Sequence, residues 1–289
     1  MSALTDYRTV QALLARHHFS FSKSLGQNFL IDPDVCPRMA EHAARGGAAG
    51  AIEIGPGIGP LTRELSAQFE KVLAFEVDRA LEPILAETLA DCANVTVRFE
   101  DILRADMTQV LASDFAGMRV SVCANLPYYI TSPILMYLLE GRFPFESITV
   151  MVQREAAERI CASPGSRLSG ALTAAVHYYA EPEVLFSVPR TAIMPAPKVD
   201  SAVIGLRVRK APPVEVADEA FFFRVIRASF AQRRKTAANS LSAGLSMPKS
   251  AVTDALRACG FSETVRAETF TLEDFAALSE RLYNEVERA

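Results

Sequence analysis

The chain has 289 residues, 50% hydrophobic and 22% charged, a globular composition that excludes a disordered or fibrous protein. Its formal net charge of -4 supplies no global basic field, so any contact with nucleic acid must rest on a local patch. Five scattered cysteines argue against a metal centre or a disulfide framework, and no run approaches the ~18 apolar residues of a membrane span.

The opening "MSALTDYRTVQALLARHH" lacks the long apolar stretch of a signal peptide. With unpaired cysteines, this leads us to expect a reducing, cytoplasmic setting. Residues 1–22 read as an extension ahead of the first strand. Short apolar, β-branched runs then alternate with helical patterns. Strands are expected at 51–54, 71–76, 95–99, 120–124, 147–152, 183–187 and 201–208. Helices are expected between the first five, for example at 61–68, 80–89 and 133–140. This order predicts an α/β fold: a mostly parallel, seven-stranded sheet with helices on both faces. The last two strands are separated by the Pro-rich "VPRTAIMPAPKVD" and should form an antiparallel end. The paired prolines in "RKAPPVE" mark a change of character. Beyond them the pattern is helical, with Ser246 or Pro248, Gly260 and Thr271 as start and stop signals. The expected organisation is therefore one domain over 1–210 and a small all-helical one over 211–289.

The first strand runs into "EIGPGIGPLT". Gly55, Gly57 and Gly59 let the backbone turn sharply at a strand end, where open parallel sheets place their ligands. The spacing departs from the dinucleotide fingerprint, since Gly59 comes one residue early. Glu53, just before the glycines, would repel a pyrophosphate and welcome a cation. Glu76 ends the second strand and can accept hydrogen bonds from ribose hydroxyls. Asp101, after the third strand, can take an adenine amino group, and the amide of Ile102 a ring nitrogen. The ligand that joins adenosine to a positive end is S-adenosylmethionine. No metal is expected.

The fourth strand ends in "NLPYY". Next to a methyl donor, a target amine needs its two hydrogens held so that its lone pair faces the methyl group. The Asn125 side-chain oxygen can take one hydrogen. The Leu126 carbonyl, turned by Pro127, can take the other. Two acceptors favour the charge that develops on a poorly nucleophilic amine such as that of adenine. Tyr128 offers a flat face for the base, a contact of ~1–3 kcal/mol.

Several segments together resemble one family. They are "SKSLGQNFLID", "IEIGPGIGPLT", "FEVD", "NLPYYITSPIL", "MVQREAAERI", "PAPKVDSAV" and "FAQRRKT". They are similar to the KsgA-type small-subunit ribosomal RNA adenine dimethyltransferases, over nearly the whole chain. The resemblance implies a seven-stranded, Rossmann-like, class I S-adenosylmethionine-dependent methyltransferase domain with a helical C-terminal domain. It implies dimethylation of two adjacent adenosines in the 3′-terminal hairpin of 16S rRNA, within the assembling 30S subunit, by a monomeric enzyme. By motif match, Gln27, Asn28, Leu30 and Gly55 should touch the donor, Glu76 its ribose and Asp101 its adenine. Asn125 should lie between donor and target. The chain departs from the family at Ile193, where Phe is usual, leaving Met194 or Tyr129 to take over any role of that ring. Tyr129 itself stands where many members have Asn.

Residues 181–250 hold eleven Lys and Arg against six Asp and Glu. Arg224, Arg227, Arg233, Arg234 and Lys235 fall in one stretch expected to be helical, and would contact RNA phosphates or form a solvated face. Arg154, after the fifth strand, would flank the target base or join surface ion pairs. Rival readings are a large-subunit rRNA adenine methyltransferase of the macrolide-resistance type, a non-catalytic rRNA-binding assembly factor, and a Rossmann oxidoreductase.

Overall fold

The structure, a computed structural model, describes residues 3–22, 25–232 and 234–287. They divide into two compact units. The first comprises Met1–Ala157 and Glu181–Val208, the second Glu158–Ala180 and Arg209–Ala289.

The first unit opens with α1 (Tyr7–Arg16), capped by the Asp6 carboxylate on the Thr9 amide, then β1 (Phe29–Leu30) and α2 (Val35–Ala44). Strands and helices then alternate: β2 (Gly50–Ile54), α3 (Pro60–Gln68), β3 (Lys71–Phe75), α4 (Glu82–Thr88) and β4 (Val95–Arg98). They continue through α5 (Met107–Asp114), β5 (Val120–Asn125), α6 (Thr131–Glu140), β6 (Phe145–Gln153) and α7 (Arg154–Cys161). After α8 (Ala171–Tyr179) come β7 (Ala180–Val188), β8 (Ile193–Met194) and β9 (Ser201–Val208).

The main sheet has seven strands in the order β4-β3-β2-β5-β6-β9-β7. Neighbours from β4 to β6 are parallel, and β9 runs antiparallel to β6. The expected seven-stranded α/β sheet is thus present, with β9 and β7 as neighbours at its end. A second sheet, the short antiparallel pair β1–β8, falls partly in the segment read as a Pro-rich loop. Two-residue strands carry no alternation to read.

Strand alternation sets the core. Ala51, Val72, Cys123, Met151 and Val203 share one face of the sheet, covered by Met39, Ala40 and Ala43 of α2 and Leu61 and Leu65 of α3. Glu53 has the parity of Ala51, so the same helices bury it. A separate cluster joins α1, through Val10, Leu13 and Leu14, to Ile84 and Leu85 of α4.

The second unit contains α8 with α9 (Glu219–Phe230), α10 (Ala237–Leu245), α11 (Lys249–Ala258) and α12 (Leu272–Glu287). Phe221, Phe222 and Phe223 are all buried. Three successive positions on a helix point in different directions, so α9 is packed around most of its girth. Phe222 and Phe223 meet Tyr178 of α8, and Phe221 meets Tyr283 of α12. Among the described residues no helix is long and apolar enough to cross a membrane, and all five cysteines are free thiols.

Candidate active site

One cleft lies at the carboxyl ends of β2, β3, β4 and β5, about 980 Å³ counting its open mouth. All ten residues expected to hold the donor line it. Gly55 turns the chain out of β2 at φ +73, a left-handed conformation that favours glycine, and a Cβ there would meet nothing within 4 Å. The backbone therefore presents itself bare to the cleft. Gly57, at φ +59, donates its amide to Glu76 Oε2 at 3.3 Å.

The cleft is acidic. Glu53, Glu76, Glu100 and Asp101 line it, and among the described residues no Lys or Arg does. Glu53 is 1% exposed, and its Oε2 has no hydrogen-bond partner among the described residues. Burial pushes its carboxyl up to about 8, against the opposing pull of the Thr62 hydroxyl, with a small further rise from Glu76. An orphaned carboxylate oxygen of this kind fits a cationic ligand.

Glu76 is also buried, and burial raises its pKa while the amides of Asp78, Gly57 and Val77 hold it back. Its Oε1 accepts from Val77 N at 2.8 Å and Asp78 N at 2.9 Å. Two amides occupy Oε1 and one reaches Oε2, so one lone-pair site is left for a ligand hydroxyl. Holding both ribose hydroxyls requires sharing. Asp101 Oδ1 caps the following turn through Leu103 N at 3.0 Å, and Ile102 is buried beside it.

Asn125 closes β5. Its Nδ2 donates to the Asn28 carbonyl at 3.0 Å, which turns Oδ1 away as an acceptor with no donor among the described residues. Leu126 is buried, and its amide donates to Met151 O at 3.2 Å. The turn beyond is closed on the Pro127 carbonyl, by Ile130 N at 3.1 Å and Thr131 Oγ1 at 3.3 Å. The Leu126 carbonyl is not consumed by it.

The two tyrosines separate. Tyr128 is half-buried, with its hydroxyl 2.6 Å from Ser201 Oγ, and it does not line the cleft. Tyr129 does, and is 59% exposed. Its ring edge lies against Gly26, where an added Cβ would come within 3.1 Å of Cδ1. Ile193 is 1% exposed in the core and pairs with Leu30 across β1–β8, so it offers no face to a ligand.

The segment leading to β1 forms a wall of the cleft. Gln27 Oε1 accepts from Ser22 N at 2.8 Å, and its Nε2 donates to Asp78 Oδ2 at 2.6 Å. Both ends of the Gln27 amide are thus engaged in holding this segment to the turn after β3. Asn28 Nδ2 donates to Gly26 O at 3.0 Å, while Leu30 is buried in the core. The contacts of Gln27, Tyr128 and Asn125 span 51, 73 and 97 residues of sequence, and no local signal announces them.

The basic residues expected to meet RNA are not on one helix. Arg224 and Arg227 are on α9, with the Arg224 guanidinium 5.1 Å from the centroid of the Phe221 ring. The helix ends at Phe230, and Arg234 and Lys235 follow it in the turn before α10, whose N-cap is Thr236. The expected continuous helical stretch is corrected here: Thr236 starts a new helix and interrupts the old pattern. Arg233 lies outside the described residues. Arg154 starts α7 and pairs with Asp200 at 3.5 Å, away from the cleft.

Comparison with known proteins agrees with this geometry. Residues 18–283 match the family model described as ribosomal RNA adenine dimethylase. Relatives from Bacillus mycoides (strain KBAB4) and Bacillus cereus (strain AH187) are both named ribosomal RNA small subunit methyltransferase A. Each is 50% identical over 274 residues, covering 93% of this chain and 94% of its own. Among solved structures, the chain is similar to the 23S rRNA methyltransferase ErmE. The identity is 29% and the TM-score 0.66, over 88% of this chain and 99% of that one. A dimethyladenosine transferase from Plasmodium falciparum shares the fold at 22% identity and a TM-score of 0.69, over 86% and 95%.

Proposed function

The chain belongs to the ribosomal RNA adenine dimethylase family, and on that premise we propose that it dimethylates N6 of two adjacent adenosines in 16S rRNA. Their place is the 3′-terminal hairpin, and the substrate is the assembling 30S subunit. The enzyme is S-adenosylmethionine-dependent. It works as a monomer, in the cytoplasm, where ribosomes are built.

The observation that carries this reading is the acidic cleft with an oriented amide at its edge. A pyrophosphate would face four carboxyl groups and no cation, which disfavours the oxidoreductase. When bound, S-adenosylmethionine supplies the methyl group. Glu53 and Gly55 face its charged methionine end, Glu76 its ribose, and Asp101 with Ile102 its adenine.

The chain's own part in transfer is to hold the amine. Asn125 Oδ1 accepts one N6 hydrogen and the Leu126 carbonyl the other. Both then stabilise the positive charge that grows on nitrogen in the transition state. No base is needed before attack, because the amine is neutral and its extra proton leaves afterwards. Tyr129 supplies an exposed ring at the cleft, whereas Tyr128, bound to Ser201, does not line it. The 50% identity to small-subunit enzymes, against 29% to the large-subunit enzyme, favours 16S rRNA. A free acceptor at Asn125 beside the glycine turn argues against a purely non-catalytic factor.

Undermethylated 30S subunits, incubated with the pure protein and labelled donor, test this. Dimethyladenosine at two adjacent positions of the 3′-terminal hairpin is expected. Label in 23S rRNA instead, or none in either, would overturn it.

A further inference from the structure

The donor is consumed as a substrate, and transfer changes its charge. The C–S bond breaks as the C–N bond forms, the electron pair stays on sulfur, and the sulfonium becomes a neutral thioether. The positive charge passes to the amine and leaves it as a proton. Each adenosine takes two methyl groups, so spent donor must leave and fresh donor must enter between transfers. The two molecules differ by one methyl group and one charge, and a cleft that tells them apart has to read that charge.

Displacement at a methyl carbon puts the sulfur close to the amine, and so close to Asn125. The residues around Asn125 form one connected set. Asn125 Nδ2 donates to the Asn28 carbonyl and Asn28 Nδ2 to the Gly26 carbonyl, each at 3.0 Å. Gly26 in turn lies against the edge of the Tyr129 ring, where an added Cβ would come within 3.1 Å of Cδ1 and 3.3 Å of Cε1. All four residues line the cleft. The other aromatic residues that line it, Phe29 and Phe75, are buried, whereas Tyr129 is 59% exposed. Among the described residues, the Tyr129 hydroxyl makes no hydrogen bond, and no other ring or cation packs on its face. An open aromatic face thus stands in a cleft that no Lys or Arg lines among the described residues.

A sulfonium has no N–H or O–H to offer, so a carboxylate cannot grip it as it grips an ammonium group. The negative face of a π-system can, because that attraction needs no donor hydrogen. We propose that the Tyr129 ring holds the donor's sulfonium by cation–π attraction, and so makes the cleft prefer S-adenosylmethionine to spent S-adenosylhomocysteine. The proposal rests on the donor argued above and adds a residue that reads its charge. Tyr129 stands where many members of the family have Asn, so the ring belongs to this chain and not to the shared motif.

Calorimetry of the full-length protein with S-adenosylmethionine and with S-adenosylhomocysteine tests it. Tyr129 is exposed, so substitution there removes no core packing. Y129F keeps the ring and should hold both ligands within about twofold of the parent. Y129L keeps the apolar bulk and loses the π-face. It should raise the dissociation constant of S-adenosylmethionine about threefold to tenfold and leave that of S-adenosylhomocysteine within about twofold. The ratio of the two constants is the decisive reading, because a ring that only walls the cleft moves both together. Equal weakening of both ligands in Y129L, or no weakening of either, overturns the proposal. So does a parent ratio in Y129L joined to slower methyl transfer, which would give the ring to the target base instead. Parent protein that bound neither ligand would remove the functional reading itself.

Discussion

Asn125 has a donor end and an acceptor end, and the fold occupies only the donor, on the Asn28 carbonyl. That leaves Oδ1 as an acceptor for the amine it is proposed to hold. Asn125→Ala removes the acceptor and should lower the rate of the chemical step ~100–1,000-fold, or ~2.7–4 kcal/mol of barrier. Asn125→Asp should also fail, because a carboxylate cannot donate to Asn28 and its second oxygen would face that carbonyl. Single-turnover assays that separate mono- from dimethyladenosine by mass decide this: both methyl groups transferred at the parent rate by Asn125→Ala would falsify the mechanism. Glu53 gives a second test at this scale, through pH. Its carboxyl is raised to about 8 in the folded chain, so the folded state holds the proton more tightly than the unfolded one. Below the ordinary carboxylate range both states are protonated and nothing is lost. As pH rises from there to about 8, the unfolded state ionises first and stability falls; above that the loss is constant. At ~1.4 kcal/mol per pKa unit the total is a few kcal/mol. Glu53→Gln cannot ionise, so it should gain on the parent across that window in urea unfolding at a series of pH values. Parallel pH curves for the two proteins would show that Glu53 is not held neutral. A cationic donor should reverse the shift, so binding near pH 7 should release a proton in the parent and none in Glu53→Gln. Calorimetry in two buffers of different ionisation enthalpy reads that directly.

The elements that shape the cleft differ in how firmly they are held. β2 to β6 belong to a seven-stranded sheet, whereas β1 pairs with β8 through two residues only. Such a pair is marginal alone, so the Gln27 bridge between Ser22 and Asp78 is what fixes the segment that carries Asn28. Gln27→Ala should raise the donor dissociation constant about fivefold to thirtyfold, the loss of one or two hydrogen bonds of ~1 kcal/mol each. Its affinity for RNA should stay near that of the parent, since the bridge lies in the donor cleft. Unchanged donor affinity in calorimetry would mean that the two-residue sheet suffices. The same contrast explains what could be read beforehand. β2 to β6 show as short β-branched runs, and the glycines and acids of the rim follow them within a few residues, so the residues that line the cleft were legible locally. β1 and β8 were not, being too short for alternation. α8 escaped as well: six of the nine residues of "ALTAAVHYY" are buried, which erases the polar stripe of an amphipathic helix. The basic run misled in the opposite direction, because charges continue past Phe230 while the helix does not. Contacts such as Tyr128 with Ser201 join positions 73 residues apart and leave no trace in either neighbourhood.

At the scale of the molecule, the chain passes between its two units three times, after Ala157, after Ala180 and after Val208. The prolines near Ala211 mark only the last passage. The second unit is discontinuous, and α8 belongs with the C-terminal helices by its contacts. The rings of Tyr179 and Phe223 stack at 5.3 Å and 9°, and Tyr178 lies 5.2 Å from Phe222. Both tyrosine hydroxyls donate to the Glu219 carboxylate, at 3.0 and 3.1 Å. A fragment ending at residue 210 removes Phe222, Phe223 and Glu219 together. Tyr178 and Tyr179, now 2% and 8% exposed, would then face water at a loss of ~2–3 kcal/mol each, and two hydroxyls would lose their partner. We therefore expect fragment 1–210 to be cut by protease between 158 and 180, where the whole chain resists, and to bind a hydrophobic dye. The nucleotide end of the sheet lies wholly within Met1–Ala157, so the fragment should retain some donor affinity even when nicked. Limited proteolysis with mass mapping, run beside donor calorimetry, separates the alternatives. Equal resistance of fragment and whole chain over 158–180 would mean that α8 is stable without the C-terminal helices. The boundary would then be the one the prolines mark. Cleavage there, with donor binding kept, would mean that the methyltransferase fold carries within it a helix whose stability depends on residues beyond 210.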